Sequence, residues 1–229
     1  MQQKSTQMQM KTLKMIYHSN FWRNKKMKNY LMINNQKIEL TNEQVKEIEN
    51  SFGFNRVMLK NIEIGETFKV RNLEFIVLEH KEETTAVILK DFWKTSKFDS
   101  SFNDYKESEI RKDLNNAFYN ELSGAIGADN IVKHAIDLTA DDGRTDYKQC
   151  DDNISLLTCD LYRKYIYVLE KHNPKKWWWL ATAHSTKSND YTVAVRCVSN
   201  GGALGSYNCN CDFGVRTFCI LKSNIFVSK

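Results

Sequence analysis

The densest reactive chemistry in the sequence is Cys209-Asn210-Cys211. On an extended strand both thiols face the same way, with Cα atoms roughly 6.6 Å apart, near the upper limit for a disulfide. In a bent loop the pair could chelate a soft ion such as Cu(I) or Zn, which makes Cys209 and Cys211 the candidate metal ligands. No second cysteine pair sits at ligand spacing, and Cys150, Cys159, Cys197 and Cys219 lie in apolar or strand contexts that suit small core residues. The histidines His18, His80, His134, His172 and His184 form neither H-E-x-x-H nor an i, i+4 pair, so helical zinc-hydrolase geometry has no support. Asp141, Asp142, Asp151 and Asp152 surround Arg144 and Lys148, but the twelve-residue calcium loop is missing and nothing singles out a pair for glycoside hydrolysis; a solvated acidic loop is expected. Phosphate-binding loops of the G-x-x-x-x-G-K-[ST] or G-x-G-x-x-G kind are absent. The chain is therefore read with no catalytic residue and no cofactor.

Binding chemistry is better represented. Trp177, Trp178 and Trp179 are consecutive, and on a strand they must face alternately, so one side enters a core while the other meets a second layer or a ligand. Residues 183–214 then combine Tyr191 and Tyr207 with Ser206, Asn208, Asn210, Phe213 and four glycines. Tyrosine supplies rigid contact area and Ser, Gly and Asn supply adaptable hydrogen bonding, the composition of a loop-built recognition surface. Tyr191, Ser206, Tyr207, Asn208, Asn210 and Phe213 are the candidate partner-binding residues.

Several elements must position these residues. Tyr30–Ile33 and Lys37–Leu40 flank Asn34-Asn35 and predict a hairpin, after which Thr41 and Gln44 match a capping box opening a short helix that carries Val45 and Ile48 and stops before Gly53. Glu66–Val70, Glu74–Glu79 and Thr85–Lys90 predict a strand meander. After Asp104, the stripe of Ile110, Leu114, Ala117, Phe118 and Leu122 predicts an amphipathic helix ending near Gly124. Ile131–Leu138 reads as a strand, and Leu161, Tyr162, Tyr165, Ile166 and Leu169 as a second helix closed by Pro174. Trp177–Ala181, Thr192–Val198 and Val215–Leu221 read as short strands between long loops.

At 229 residues, 41% hydrophobic and 27% charged, the chain suits one domain with an extension and excludes collagen-like, disordered and membrane-embedded classes. No apolar run is long enough to span a bilayer and no export signal is evident, so the cytosol and free thiols are expected. Charge marks a boundary: residues 1–38 carry eight Lys or Arg and no acid, whereas residues 39–229 hold 25 basic against 28 acidic residues, a balance of minus three. Residues 1–26 form a basic arm in which Lys11, Lys14, Arg23, Lys25 and Lys26 could meet phosphates while Tyr17, Phe21 or Trp22 stack, a second way to bind, through nucleic acid. Trp22-Arg23-Asn24 can be encoded by TGG AGG AAT, which spells a bacterial ribosome-binding sequence ahead of Met27 and makes Met27 a candidate native start. Residues 27–60 form a small hairpin-helix element.

From about Met27 onward the sequence resembles a phage and prophage family of unknown function. The likeness is carried by Asp137-Leu138-Thr139, the run from Ser155 to Tyr165, Trp177-Trp178-Trp179, Val195-Arg196, Gly201-Gly202, Gly214-Val215-Arg216 and Phe218 to Leu221. Its C-terminal half looks like the C-type-lectin-like fold of formylglycine-generating enzymes and retroelement-diversified variable proteins. The resemblance implies an α+β fold: a C-type-lectin-like domain over residues 61–229 with short antiparallel strands, two main helices and long C-terminal loops. Trp177, Trp178, Trp179, Gly214 and Arg216 would form the frame, with Arg216 bracing loop carbonyls, although Thr217 stands where family members commonly have proline. Residues 183–213 would present the binding face. The function implied is non-enzymatic recognition of a host or phage protein, of the anti-CRISPR inhibitor kind, in the host cytosol or packaged in a virion. A copper enzyme of the formylglycine-generating type is the alternative, and it would need cysteines spaced more widely than Cys209 and Cys211.

Overall fold

The hairpin forms where the two apolar runs flank Asn34-Asn35. In the computed structural model, which describes residues 29–33, 36–41, 43–44 and 56–229, β1 (Asn29–Ile33) pairs antiparallel with β2 (Gln36–Leu40), Ile33 opposite Gln36. Thr41 and Gln44 make the capping box reciprocally: the Thr41 amide donates to Gln44 Oε1 at 2.9 Å and the Gln44 amide to Thr41 Oγ1 at 3.2 Å. Asn34-Asn35, the helix face of Val45 and Ile48, and the basic arm lie outside the described residues.

A second unit begins at Arg56. It opens with β3 (Arg56–Met58), and the β-branched and aromatic run that follows folds as the expected meander of β4 (Thr67–Val70), β5 (Leu73–Lys81) and β6 (Thr84–Leu89), then reaches β7 (Lys94–Ser96). The amphipathic helix starts at Ser108, whose hydroxyl accepts from the Arg111 amide, rather than at Asp104. It runs through α1 (Glu109–Asp113), a π-helical segment Leu114–Phe118 and α2 (Tyr119–Ile126), and stops at Gly127 with φ 88°. The π turn changes the period locally. Ile110, Leu114, Phe118 and Leu122, four apart, are all buried, while Ala117 is exposed. Short strands β8 (Ile131–Val132), β9 (His134–Asp137), β10 (Gln149–Asp152) and β11 (Ile154–Ser155) lead to the second helical stretch, α3 (Cys159–Lys164) and α4 (Ile166–Leu169), which ends before Pro174. The chain closes with β12 (Trp178–Ala183), β13 (Ala194–Val198), β14 (Leu204–Asn208), β15 (Phe213–Val215), β16 (Phe218–Lys222) and β17 (Phe226–Ser228).

These strands build an eight-stranded sheet in the order β11-β16-β6-β5-β4-β17-β3, with β8 also on β16, and a five-stranded sheet in the order β14-β13-β12-β15-β7. One core gathers Phe75, Val77 and Leu221 of the large sheet, Trp179 and Val195 of the small one, and the stripe of α1–α2. The other lies among Ile76, Ile88, Trp178, Val198 and the Tyr162, Tyr165 and Leu169 face of α3–α4.

The α+β, C-type-lectin-like expectation is overturned. Among the described residues the protein is mostly β, with helix the minor component. Local periodicity locates β4–β6 and the strands around Trp178, Ala194 and Phe218 but misses β14 and β17 and carries no information on pairing, and the large sheet is assembled by distant partners: β16 lies against β6 with Ile220 opposite Ala86, and β17 closes onto β3 with Val227 opposite Val57. The two helical stretches cover the cores without forming a layer of comparable weight.

Gly214 shows how closely the frame is packed. A Cβ there would lie 2.4 Å from the Phe92 ring. Gly214→Ala is expected to cost about 1–3 kcal/mol in denaturant unfolding, and clearly less in a Phe92→Ala background, because the clash is pairwise.

Candidate functional site

The three tryptophans alternate as an extended strand requires. Trp179 is fully buried beside Phe98 and donates from Nε1 to the Ser96 carbonyl at 3.0 Å. Trp178 enters the opposite core, edge-on to Tyr162 at 5.8 Å, with the Arg216 guanidinium over its ring at 5.2 Å. Trp177 shares the Trp179 side but sits half-buried where that core reaches solvent. It meets Tyr207 edge-on at 5.0 Å and stacks on Phe213 at 5.6 Å, and Tyr207 and Phe213 contact each other at 5.2 Å. Gly205 makes this arrangement possible: a Cβ there would stand only 3.0 Å from the Trp177 ring. Tyr207 stays 46% exposed, so the three rings form an aromatic ledge beside the free edge strand β14.

The β13–β14 register sends Ser206 and Asn208 to the other face. Arg196 lies opposite Ser206, and its Nη1 donates to Ser206 Oγ at 2.7 Å, which pairs in turn with His184 Nδ1 at 3.1 Å. Tyr191, 44% exposed, stands edge-on to His184 at 5.5 Å. Asn208, which ends β14, and Asn210, in the turn after it, are exposed, and Asn208 Oδ1 accepts from the Asn210 amide. Tyr207 and Phe213 are thus brought together with Trp177, whereas Tyr191 and Ser206 belong to a separate His184-centred cluster. Composition could not separate these sets. Alternation along β14 could have, once residues 204–208 were recognised as a strand, and Trp177 and Gly205 would then have joined the ledge.

The thiol pair opens out differently. Cys209 is 1% exposed, its carbonyl accepting from the Phe98 and Asp99 amides, while Cys211 is half-buried. Burial, helped by the Asp99 carboxylate, pushes the Cys209 thiol up. All six cysteines are free, and among the described residues no group of three or more His, Cys, Asp or Glu side chains is placed to hold a metal ion. The acidic loop disperses into structural pairs. Asp142 accepts from Ser185 Oγ and Arg144, which hold its carboxyl below the usual range, and Asp152 is buried against Arg111 Nη2 at 2.7 Å. Among the described residues no helix is long and apolar enough to cross a membrane.

Residues 82–223 match the family model described as Domain of unknown function (DUF6273), a span that takes in the meander's last strand, both helical stretches, the ledge and β16. No curated protein and no solved structure matches the chain.

Burial, the largest cause in each case, separates the cysteines chemically. Cys150 is pushed up to about 11 and Cys197 to about 12, and Cys219 is raised further in a wholly buried position. Native protein treated with iodoacetamide at pH 8 should therefore carry one fast-reacting thiol, Cys211, while all six react in denaturant; peptide mapping reads the outcome. Fast labelling at Cys209 would show that its carbonyl anchor opens in solution.

Proposed function

We propose that this chain, which belongs to the DUF6273 family, is a non-enzymatic recognition protein that grips a protein partner through the ledge of Trp177, Tyr207 and Phe213. The observation that carries this reading is a three-ring cluster that reaches solvent at Tyr207, carried by β14, β15 and the residue before β12, with its rings fixed by each other and by the missing side chain of Gly205. Rigid tyrosine and tryptophan surface loses little conformational freedom on binding, and such rings dominate the energetics of protein interfaces. Exposed Lys176 and Asp212, next to Trp177 and Phe213 in sequence, supply polar groups at the ledge, which is how a buried hot spot is ringed when a partner closes over it. The likeness to a phage and prophage family makes the reading concrete: an inhibitor, acting in the host cytosol, of a host defence protein.

Affinity purification from the host, followed by calorimetric titration of the recovered partner, tests it. Tyr207→Ala and Phe213→Ala should each weaken binding about 30-fold, corresponding to roughly 2 kcal/mol per hot spot, whereas Tyr191→Ala should change it less than about threefold. Unchanged affinity with both ledge rings removed would overturn the reading.

A further inference from the structure

The open edge beside the ledge has a hydrogen-bonding pattern of its own. The Cys209 amide donates to the Val193 carbonyl at 2.7 Å and the Ser199 amide to the Ala203 carbonyl at 2.8 Å, and with Tyr207 opposite Val195 this fixes the phase of the antiparallel ladder. Ala203, Gly205, Tyr207 and Cys209 face β13. Leu204 and Ser206 consequently turn both N–H and C=O away from the sheet, roughly 6.6 Å apart, and these groups have no hydrogen-bond partner among the described residues. Asn208 turns its N–H the same way, while its carbonyl accepts from the Cys211 amide.

The β11 and β7 edges of these sheets are closed. On β11 the Asn115 side chain takes the place of a neighbouring strand, its Nδ2 donating to the Ile154 carbonyl at 2.9 Å and its Oδ1 accepting from the Ile154 amide at 3.3 Å. On β7 the Ser96 carbonyl is taken by Trp179 Nε1, and Lys94 pairs with Asp113. β3 carries the charged Arg56. β14, with the sequence LGSYN, has neither a charge nor a proline nor a side chain folded onto its outward groups. Proteins generally blunt such edges, because they are templates for another strand.

We propose that β14 receives an extended segment of the partner protein as a sixth strand of the small sheet, held by main-chain hydrogen bonds at Leu204 and Ser206. One apolar side chain of that segment would sit over Gly205 against Trp177 and Tyr207. Exposed Lys175 and Lys176, immediately before Trp177, favour a segment with an acidic flank. The inference rests on the recognition reading and adds the form in which the partner is bound.

Decapeptides selected from a random displayed library on the immobilised full-length chain provide the probe, with amide exchange read by NMR. A bound peptide should slow exchange at Leu204 and Ser206, while Gly205 and Tyr207 stay protected with or without it. Ser206→Pro removes the outward N–H, which an edge strand tolerates, together with the hydroxyl that meets Arg196 and His184, and should weaken peptide binding at least about tenfold; Ser206→Ala, which removes the hydroxyl alone and keeps the N–H, should change it less than about threefold. Leu204→Pro serves as the second backbone variant, and exchange in the unaltered protein needs neither substitution to fold. Peptides that depend on Tyr207 but bind Ser206→Pro normally and leave both amides unprotected would overturn strand addition and keep the ledge. Peptides indifferent to Tyr207 as well would overturn both. Protection of the two amides without peptide, rising with protein concentration in step with a dimer mass, would assign the edge to a second copy and overturn the proposal.

Discussion

The guanidinium of Arg216 is the constraint on which the frame depends. It is wholly buried where the chain leaves β15 of the small sheet for β16 of the large one, and it touches three separate parts of the fold. Nε donates to the Leu89 carbonyl at the end of β6 at 2.7 Å, Nη2 to the His172 carbonyl beyond α4 at 3.1 Å, and the plane lies over Trp178. Burial lowers its pKa to about 10, which still leaves the group charged at neutral pH. A charge taken out of water costs several kcal/mol unless hydrogen bonds and a polarisable face replace the lost solvation. Those replacements exist only when both sheets and the second helical stretch are in place, so Arg216 couples their positions.

The ledge inherits its rigidity from that junction. Two residues before Arg216, Gly214 lies opposite Trp178 in the parallel β12–β15 pair, with the Phe92 ring pressed on its Cα. One residue further back, Phe213 tilts onto Trp179 at 4.6 Å and reaches Trp177 and Tyr207. The aromatic cluster is therefore an extension of the buried core out to solvent rather than a set of loop residues, and its geometry persists for the same reasons as the core's.

Much of the scaffold was legible in order but not in arrangement. Strand-forming runs at 67–70, 73–81 and 84–89 declared themselves through β-branched and aromatic content, and the helix through Ile110, Leu114, Phe118 and Leu122. Its start was misplaced because Asp104 and Ser108 are both competent caps; the Asp104 side chain instead accepts from the Lys106 amide in the preceding turn. The fold class was misread because helix stripes are visible in a window of a dozen residues, whereas the large sheet is built from contacts spanning more than a hundred. The site is half legible: aromatic, serine and asparagine content points to residues 183–214, but composition does not separate Tyr207, which meets Trp177, from Tyr191, which meets His184.

By itself the sequence determined what depends on near neighbours: the capping box of Thr41 and Gln44, the alternation of Trp177, Trp178 and Trp179, and the end of the second helix before Pro174. Such features follow from backbone stereochemistry within one turn or one pleat. Only the tertiary structure decided that β16 and β17 complete a sheet begun by β4–β6, that Arg216 lies buried at the junction, and that β14 is left as an edge with Tyr207 on one side and Ser206 on the other. Register and edge position belong to pairs of strands, and a one-residue slip would exchange the two faces, so no single strand's sequence contains that choice.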